Sequence, residues 1–124
     1  MDIQFSVVNG SQTPIYKQLL DKLASQIILG EVCGQTCLPP IRTVALNLGI
    51  SVITVKRTWE ELERMGLIYT ITGKGCFVCN LSNEERSRMR EKMAADNLTE
   101  NAPFYKRLGV SKKMMHELVE KYYE

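Results

Sequence analysis

Apolar residues recur every three or four positions between residues 15 and 28, which is the spacing of one buried helix face. Thr13 and Pro14 precede this run and predict its start, with Thr13 as the N-cap and Pro14 as the first helical residue. Gly30 predicts its end. The inward positions are Ile15, Leu19, Leu20, Leu23, Ala24, Ile27 and Ile28. A shorter alternation ahead of the helix predicts a strand or an arm through Ile3, Phe5 and Val7.

Two further helices follow in quick succession. The first runs from about Ile41 to Leu48, with Val44, Ala45 and Leu48 facing inward, and Gly49 ends it. Ser51 caps the next helix, which reaches about Met65 and is closed by Gly66. Two helices joined by a short turn that contains Gly are typical of a helix-turn-helix motif.

A hairpin is predicted after these helices. The β-prone run Leu67–Ile71 and the run Cys76–Cys79 flank a Gly73-Lys74-Gly75 turn. A short strand is also expected at Cys37-Leu38, before the helix-turn-helix.

Residues 80–124 predict a helical tail. Ser82 with Glu85 three residues later is a capping box and opens a charged helix through about Asp96. Pro103 is expected to interrupt the helical pattern. Gly109 breaks it again, and Ser111 starts the last helix.

Composition sets the broad class of protein. The 124 residues are 44% hydrophobic and 24% charged, which is typical of a globular chain and excludes a disordered or collagen-like one. No apolar run approaches the roughly 18 residues of a membrane span. The N-terminus also lacks the basic and apolar segments of a secretory signal. We therefore expect a cytoplasmic protein with no membrane partner.

The distribution of charge says more than its sum. Sixteen Lys and Arg against fourteen Asp and Glu leave a formal net charge of +2. Yet the 28 residues between Glu31 and Glu60 contain no acid, while Arg42, Lys56 and Arg57 lie among them. This window indicates a surface kept clear for an anion.

The third helix carries the predicted chemistry. On a helical wheel Val55, Thr58, Trp59 and Leu62 form its core face. Its N-terminal half presents the opposite set, Ser51, Ile53, Thr54, Lys56 and Arg57. This arrangement suits a helix that enters the major groove of double-stranded DNA with its N-terminus first.

Each member of that set has a candidate role. Lys56 and Arg57 can reach phosphates or guanine edges, and Ile53 can contact a thymine methyl group. Ser51 and the free amides of the first turn predict a phosphate site. Arg42, on the preceding helix, and Lys74, at the hairpin tip, can bracket the same DNA through phosphates.

Gly75, in the hairpin, is a further candidate residue of the same DNA-binding surface. Because it has no Cβ, it lets the backbone of the hairpin approach a groove closely.

The four cysteines, Cys33, Cys37, Cys76 and Cys79, raise the question of metal. Phe77 and Val78 between the last two are strand formers, and residues three apart on a strand point to opposite faces. A zinc knuckle needs a turn there, so we expect structural thiols and purification without stoichiometric zinc. No cofactor is expected. Metal binding and redox sensing stay open as alternatives.

Several separated motifs agree in register with one known domain. They are Pro14-Ile15-Tyr16-Lys17-Gln18, Leu38-Pro39-Pro40-Ile41-Arg42-Thr43-Val44-Ala45, Leu48-Gly49-Ile50-Ser51 with Thr54-Val55, Glu61-Leu62-Glu63, Met65-Gly66-Leu67-Ile68, and Gly73-Lys74-Gly75-Cys76-Phe77-Val78. Together they resemble the winged helix-turn-helix domain of the GntR family of bacterial transcription regulators. The match covers about residues 12–79. The short tail and its Leu108-Gly109-Val110-Ser111 junction are similar to the YtrA-like subfamily.

The resemblance implies a homodimer that binds DNA and commonly represses an operon for membrane transporters. Arg42, Thr54 and Gly75 match the family's DNA-contact positions. Val52 stands where many members carry Arg, and Pro40, Lys56 and Cys76 also depart from the usual residues. The operator sequence therefore does not carry over from the family.

We thus expect a mainly α fold with a small β-hairpin wing, made of two parts. Residues 12–79 form a winged helix-turn-helix DNA-binding domain, and residues 80–124 form a C-terminal two-helix dimerisation element. The apolar residues expected at the dimer interface are Met89, Met93, Phe104, Leu108, Met115, Leu118 and Tyr122. Because this tail is too short to enclose a ligand pocket of several hundred Å3, a small-molecule effector would bind at the dimer interface or act through the cysteines.

Two other classes of function are alternatives to DNA binding. A winged-helix module that binds protein would use the same hairpin and third helix, but its affinity would not fall steeply with salt. An enzyme is disfavoured, because the single histidine, His116, lies in the tail and Gly73-Lys74 lacks the rest of a phosphate-binding loop.

Overall fold

The computed structural model describes residues 13–124 and divides the chain into two units. The first ends at Ser87 and the second is Arg88–Glu124. The strand or arm expected at Ile3, Phe5 and Val7 lies outside the described residues, as does residue 12. The predicted boundary between residues 79 and 80 stays a prediction.

The first helix, α1, spans Ile15–Ile28. Its inner face is buried through Leu19, Leu20, Leu23, Ala24, Ile27 and Ile28, as its spacing predicted, while Ile15 is half-buried. The predicted cap was wrong by one residue, because Pro14 is the N-cap and not the first helical residue. The ψ of Pro14 is 145°, which is extended, and its carbonyl accepts the first helical bonds from Lys17 and Gln18.

The two helices of the helix-turn-helix and the turn between them are confirmed. Helix α2 spans Ile41–Leu48 and ends at Gly49, which has a left-handed φ of +67°. Helix α3 spans Val52–Arg64 and is capped by Ser51. Within α2, Val44 and Ala45 are buried, and Leu48 is half-buried.

The wing is an antiparallel hairpin of β1, Ile68–Ile71, and β2, Gly75–Val78. The predicted turn was shifted by one position. It consists of residues 72–74, and Gly75 is already the first residue of β2, paired with Ile71. The rings of Tyr69 and Phe77 face each other across the ladder with centroids 5.7 Å apart.

The loop before α2 pairs with the free side of β2. The Leu38 amide donates to the Cys76 carbonyl at 2.8 Å, and the Val78 amide donates to the Thr36 carbonyl at 2.9 Å. Cys37 forms a single bridge with Phe77, so the strand expected at Cys37-Leu38 is a bridge rather than a full strand. The residues around it pack tightly, because a Cβ at Gly34 would lie 2.8 Å from the Asn80 Cα.

The core of the first unit is formed by the three helices and the base of the wing. Helix α3 packs against α1, α2 and β1. The largest side chains with no exposed surface, or nearly none, are Leu19, Leu23, Leu62, Leu67, Val55, Val78 and Thr58. Trp59 is 4% exposed, which confirms it as a core residue.

The tail contains α4, Asn83–Arg107, and α5, Lys112–Tyr122. Helix α4 was expected to end near Asp96 with a break at Pro103, and this was wrong, because the helix runs through Pro103. Proline removes one amide and leaves the carbonyl four residues earlier without its helical donor. Thr99 and Pro103 are both exposed, so water can bond the Thr99 carbonyl and the helix continues.

The starts of the tail helices follow the predicted signals. Ser82 and Glu85 form the reciprocal capping box, with the Glu85 amide 3.1 Å from the Ser82 Oγ and the Ser82 amide 3.2 Å from the Glu85 Oε1. Ser111 caps α5 by accepting from the Met114 amide at 3.2 Å. Among residues 13–124, no helix is long and apolar enough to cross a lipid bilayer.

Candidate nucleic-acid interface

The N-terminus of α3 is fixed by its cap. The Ser51 Oγ accepts from the Thr54 amide at 3.1 Å and lies 2.8 Å from the Thr54 hydroxyl. This double contact holds the first turn of the helix in place. The acid-free first turn leaves the positive end of the helix dipole without a competing carboxylate.

The two faces of α3 are divided largely as the helical wheel predicted. Val55, Thr58, Trp59 and Leu62 are buried. Ser51, Ile53, Lys56 and Arg57 are exposed, and Ile53 has 78% of its surface open to solvent. Thr54 is the exception, since it is half-buried and its hydroxyl faces Ser51.

Arg57 does not extend freely into solvent. Its guanidinium carbon lies 3.7 Å from the centroid of the Tyr16 ring on α1, which is the geometry of a cation–π contact. The start of α1 is held against α3 by a buried residue, because the Thr58 hydroxyl bonds the Thr54 carbonyl at 3.0 Å and the Tyr16 carbonyl at 3.4 Å.

The contact between Arg57 and Tyr16 lies in an open cleft between α1 and α3. The cleft has a volume of about 350 Å3. It brings together three of the predicted interface residues with the beginning of α1, and its lining consists of Pro14, Ile15, Tyr16, Ile53, Thr54 and Arg57.

Sequence reasoning missed the contribution of α1 to this surface. Pro14, Ile15 and Tyr16 belong to a run that resembles the GntR family, but their chemistry indicated only a helix start. The periodicity of one helix does not reveal which side chain of another helix lies against it. The Pro14-Ile15-Tyr16 run at the predicted helix start was the one sequence feature that pointed to this part of α1.

The three acids of α3, Glu60, Glu61 and Glu63, lie in its second half, and the last two are engaged with other groups. The Glu61 Oε2 accepts from Arg64 at 2.7 and 3.1 Å. These bonds hold the pKa of the Glu61 carboxyl below its ordinary value, and the positive charge of Arg57 acts in the same direction. The Thr70 hydroxyl donates to the Glu63 carboxylate at 2.5 Å, which ties β1 to α3.

The remaining predicted DNA contacts lie on α2 and the wing. Arg42 is exposed at the second residue of α2. Lys74 is exposed in the wing turn, where its amide donates to the Ile71 carbonyl at 2.9 Å. Gly75 has a φ of +123°, which side-chain-bearing residues rarely adopt, so its glycine is required by the backbone as well as useful for close approach.

All four cysteines are free thiols. Cys33 and Cys37 are exposed, whereas Cys76 and Cys79 are half-buried. Burial raises the pKa of the Cys79 thiol, and the nearby carboxylates of Glu63 and Glu85 raise it further. Within residues 13–124, no group of three or more His, Cys, Asp or Glu side chains is arranged to hold a metal ion.

The tail carries its apolar residues at the surface of the single chain. Phe104, Leu108 and Tyr122 are 54, 65 and 70% exposed. The other residues expected at the dimer interface, Met89, Met93, Met115 and Leu118, are half-buried. His116 is exposed.

Comparison with known proteins gives a consistent result. The sequence profile of a family described as "Bacterial regulatory proteins, gntR family" matches residues 15–78, from α1 to the end of the wing. The uncharacterized HTH-type transcriptional regulator YhcF of Bacillus subtilis (strain 168) is 29% identical over 124 residues, covering 100% of this chain and 98% of YhcF. The HTH-type transcriptional repressor YtrA of the same organism is 26% identical over 109 residues, covering 88% of this chain and 84% of YtrA.

The structural comparison extends over both units. The crystal structure of a transcriptional antiterminator from Listeria monocytogenes EGD-e superposes with a TM-score of 0.72 at 30% identity, covering 98% of this chain and 90% of that one. Several other relatives match over only 65–76 residues, and this chain covers 14–32% of their length.

Proposed function

Because this chain belongs to the GntR family of bacterial regulatory proteins and is YtrA-like, we propose that it represses transcription as a homodimer bound to an inverted-repeat operator. The chain is a DNA-binding transcriptional regulator and not an enzyme. The proposal concerns the residues that contact DNA, the dimer and the direction of regulation.

The observation that carries this proposal is that α3 has one buried face and one exposed face. Its buried face packs on α1 and α2, and its N-terminal half offers Ile53, Lys56 and Arg57 at the surface. Lys56 and Arg57 supply donors for phosphates and guanine edges, and Ile53 supplies an apolar contact for a thymine methyl group. We assign α3 to the major groove, with its N-terminus leading.

Phosphate contacts would fix the orientation of the domain on the duplex. The capped N-terminus of α3 at Ser51 has the amides and the dipole that favour an anion, and the half-buried Thr54 completes that turn. Arg42 on α2 and Lys74 in the wing turn add exposed positive charge. Gly75 would let the wing backbone approach the sugar–phosphate backbone.

The dimer would form through the tail. Helices α4 and α5 contain no buried residue, yet they carry a set of large apolar side chains. A second copy with the same surface is the simplest cover for that set, because most homo-oligomers are two-fold symmetric. Two recognition helices about one turn of DNA apart would then read an inverted repeat.

Repression follows if the bound dimer occupies a promoter. YtrA is named a transcriptional repressor, and that activity is the one we propose here. The family resemblance suggests an operon for membrane transporters as the target. A regulator that acts on bacterial chromosomal DNA works in the cytoplasm.

The experiment that tests this function is selection of bound duplexes from a random-sequence DNA pool at near-physiological salt. We expect enrichment of an inverted repeat whose half-sites lie about one helical turn apart. A reporter gene placed behind that repeat should be silenced when the protein is present. Retention without an enriched sequence would contradict specific regulation, and no retention would favour a protein-binding role for the wing.

A further inference from the structure

The cleft between α1 and α3 contains residues from the start of α1 for which the proposed function has no role, and Tyr16 is one of them. Tyr16 lies in the first turn of α1, is half-buried, and presents its ring to the guanidinium of Arg57 at 3.7 Å. Arg57 is itself exposed on the half of α3 that we assign to DNA.

The position of Tyr16 is fixed by contacts that do not involve Arg57. Thr58, which has no exposed surface, bonds the Tyr16 carbonyl through its hydroxyl. Leu19 and Leu20, on the next turn of α1, are buried in the core. The ring therefore stands on a rigid base, and the flexible partner in the contact is Arg57.

Among the residues that the structure describes, no ion pair joins Arg57 to Glu60 or Glu61, the two acids within about one turn of it on α3. Glu61, one turn further on, gives its Oε2 to Arg64 at 2.7 and 3.1 Å. Lys17, beside Tyr16 on α1, is paired with Asp21 at 3.2 Å. The stack on Tyr16 is consequently the contact that sets the direction of the Arg57 side chain.

A guanidinium that stacks by its face keeps its edge available. The five N–H donors of arginine lie in the plane of the group, and a ring beneath that plane does not compete for them. A planar fork held in one orientation suits two acceptor atoms side by side. Two phosphate oxygens offer that pattern, as do O6 and N7 of guanine.

We propose that Tyr16 is a positioning residue for DNA recognition, which holds the Arg57 guanidinium by its face so that its edge meets a pair of acceptor atoms on the duplex. The proposal rests on the proposed function, since it needs DNA at α3. It adds Tyr16 of α1 to that function. The affinity or the specificity for DNA then depends on the Tyr16 ring as well as on the Arg57 charge.

A double-mutant cycle on the full-length chain tests this proposal. Tyr16→Leu is expected to weaken binding to the selected duplex about two- to fivefold, the range of a cation–π contact near a surface. Tyr16→Phe keeps the ring and should bind like the unmodified chain. Once Arg57→Ala is present, Tyr16→Leu should cause no further loss. Tyr123→Leu, a tyrosine 81% exposed in the tail, is the matched control and should have no effect.

A second variant guards against loss of folding. Arg57→Lys retains the charge at an exposed position but lacks the planar group, so it should bind as weakly as Tyr16→Leu without any change in the unfolding midpoint. In the free protein, the NMR signal of the Arg57 side-chain Nε–H should be displaced by the ring current of Tyr16. That displacement should persist in Tyr16→Phe and vanish in Tyr16→Leu.

The outcomes distinguish failure of the positioning role of Tyr16 from failure of the proposed function. If the unmodified chain binds no duplex, both the positioning role and the proposed function are contradicted. If it binds but Tyr16→Leu weakens binding equally with and without Arg57, or if Tyr16→Phe loses as much as Tyr16→Leu, the positioning role is overturned and the regulator stands.

The same series distinguishes the two sources of acceptor atoms, and either result supports the positioning role. A phosphate contact predicts that Arg57→Ala weakens all duplexes alike and lowers the salt dependence by about 0.9 in slope. A guanine contact predicts that discrimination is lost at one base pair.

Discussion

The two units of this protein acquire their structure in different ways. In the first unit, Leu19, Leu23 and Leu62 have no exposed surface, and three helices and a hairpin share one core. In the second unit, which contains α4 from Arg88 onward and α5, no residue is buried. The first unit is thus held by tertiary packing within one chain, and the second unit is not.

The helices of the tail are stabilised instead by interactions within each helix. Helix α4 has a capping box, acids in its first turn, Lys106 and Arg107 in its last turn, and an ion pair between Lys92 and Asp96 at 3.0 Å. Each such signal contributes only a few tenths of a kcal/mol to about 1 kcal/mol. The contrast teaches that a regulator can specify helices locally while leaving their packing to a second copy of the chain.

The largest effect should come from a core cavity in the first unit. Leu23→Ala is expected to lower the free energy of unfolding by about 2–5 kcal/mol, because it removes a fully buried side chain. The matched change in the tail, Leu98→Ala at a residue 61% exposed, should alter it by less than about 0.5 kcal/mol. Urea denaturation followed by Trp59, the single tryptophan, reports on the first unit. Equal losses would contradict the division between the units.

Charges placed on the tail should separate dimerisation from folding. Leu108→Glu combined with Leu118→Glu is expected to convert a dimer into a monomer in sedimentation equilibrium, with the Trp59 unfolding midpoint unchanged. Operator affinity should fall at least about 100-fold, since each half-site then binds alone. Lys113→Glu, on the same tail, serves as the control. A persistent dimer would show that the interface lies elsewhere.

Identical residue types in the two units should differ in their effect on DNA binding. Lys56→Ala on α3 is expected to weaken binding to the selected duplex by about 1–3 kcal/mol, because it removes a contact to phosphate or base. Lys113→Ala on α5 removes the same charge from the tail and should leave the affinity unchanged. Fluorescence anisotropy at two salt concentrations measures both. Equal losses would indicate a general effect of charge and not an interface on α3.

The smallest effect compares two serine caps of the same geometry. Ser51 and Ser111 each accept from the amide three residues later, at 3.1 and 3.2 Å. Ser51→Ala should lower the stability reported by Trp59 by about 1 kcal/mol, because α3 belongs to the core. Ser111→Ala should leave that midpoint unchanged and accelerate amide hydrogen exchange in α5. If Ser111→Ala also shifted the Trp59 midpoint, α5 would have to be counted as part of the folded core.

Sequence alone located the elements best where a local signal coincides with a change of periodicity. Gly49 and Ser51 bracket the turn of the helix-turn-helix, and both boundaries were predicted correctly. The buried face of α3 and the core position of Trp59 followed from helical spacing, which tertiary packing then satisfied.

The errors arose where the environment outweighs a local preference. Pro103 predicted a break, but an exposed helix can lose one bond because water replaces the missing donor. Thr54 was expected to face outward, but it lines the cleft beside the start of α1 and is half-buried. The stack of Arg57 on Tyr16 joins residues 41 positions apart in the sequence, and no periodicity within either helix encodes it.

The hydrogen bonds between β2 and the loop before α2 limit where the sequences of such regulators can diverge. Strand β2 is bonded on both sides, to β1 and to residues 35–38, so an insertion within it would displace two registers at once. The turn at residues 72–74 lies beyond that double constraint. Duplicated genes could therefore lengthen or recharge the wing tip at little cost and acquire new operators. The sequence of β2 would change more slowly than that of the turn.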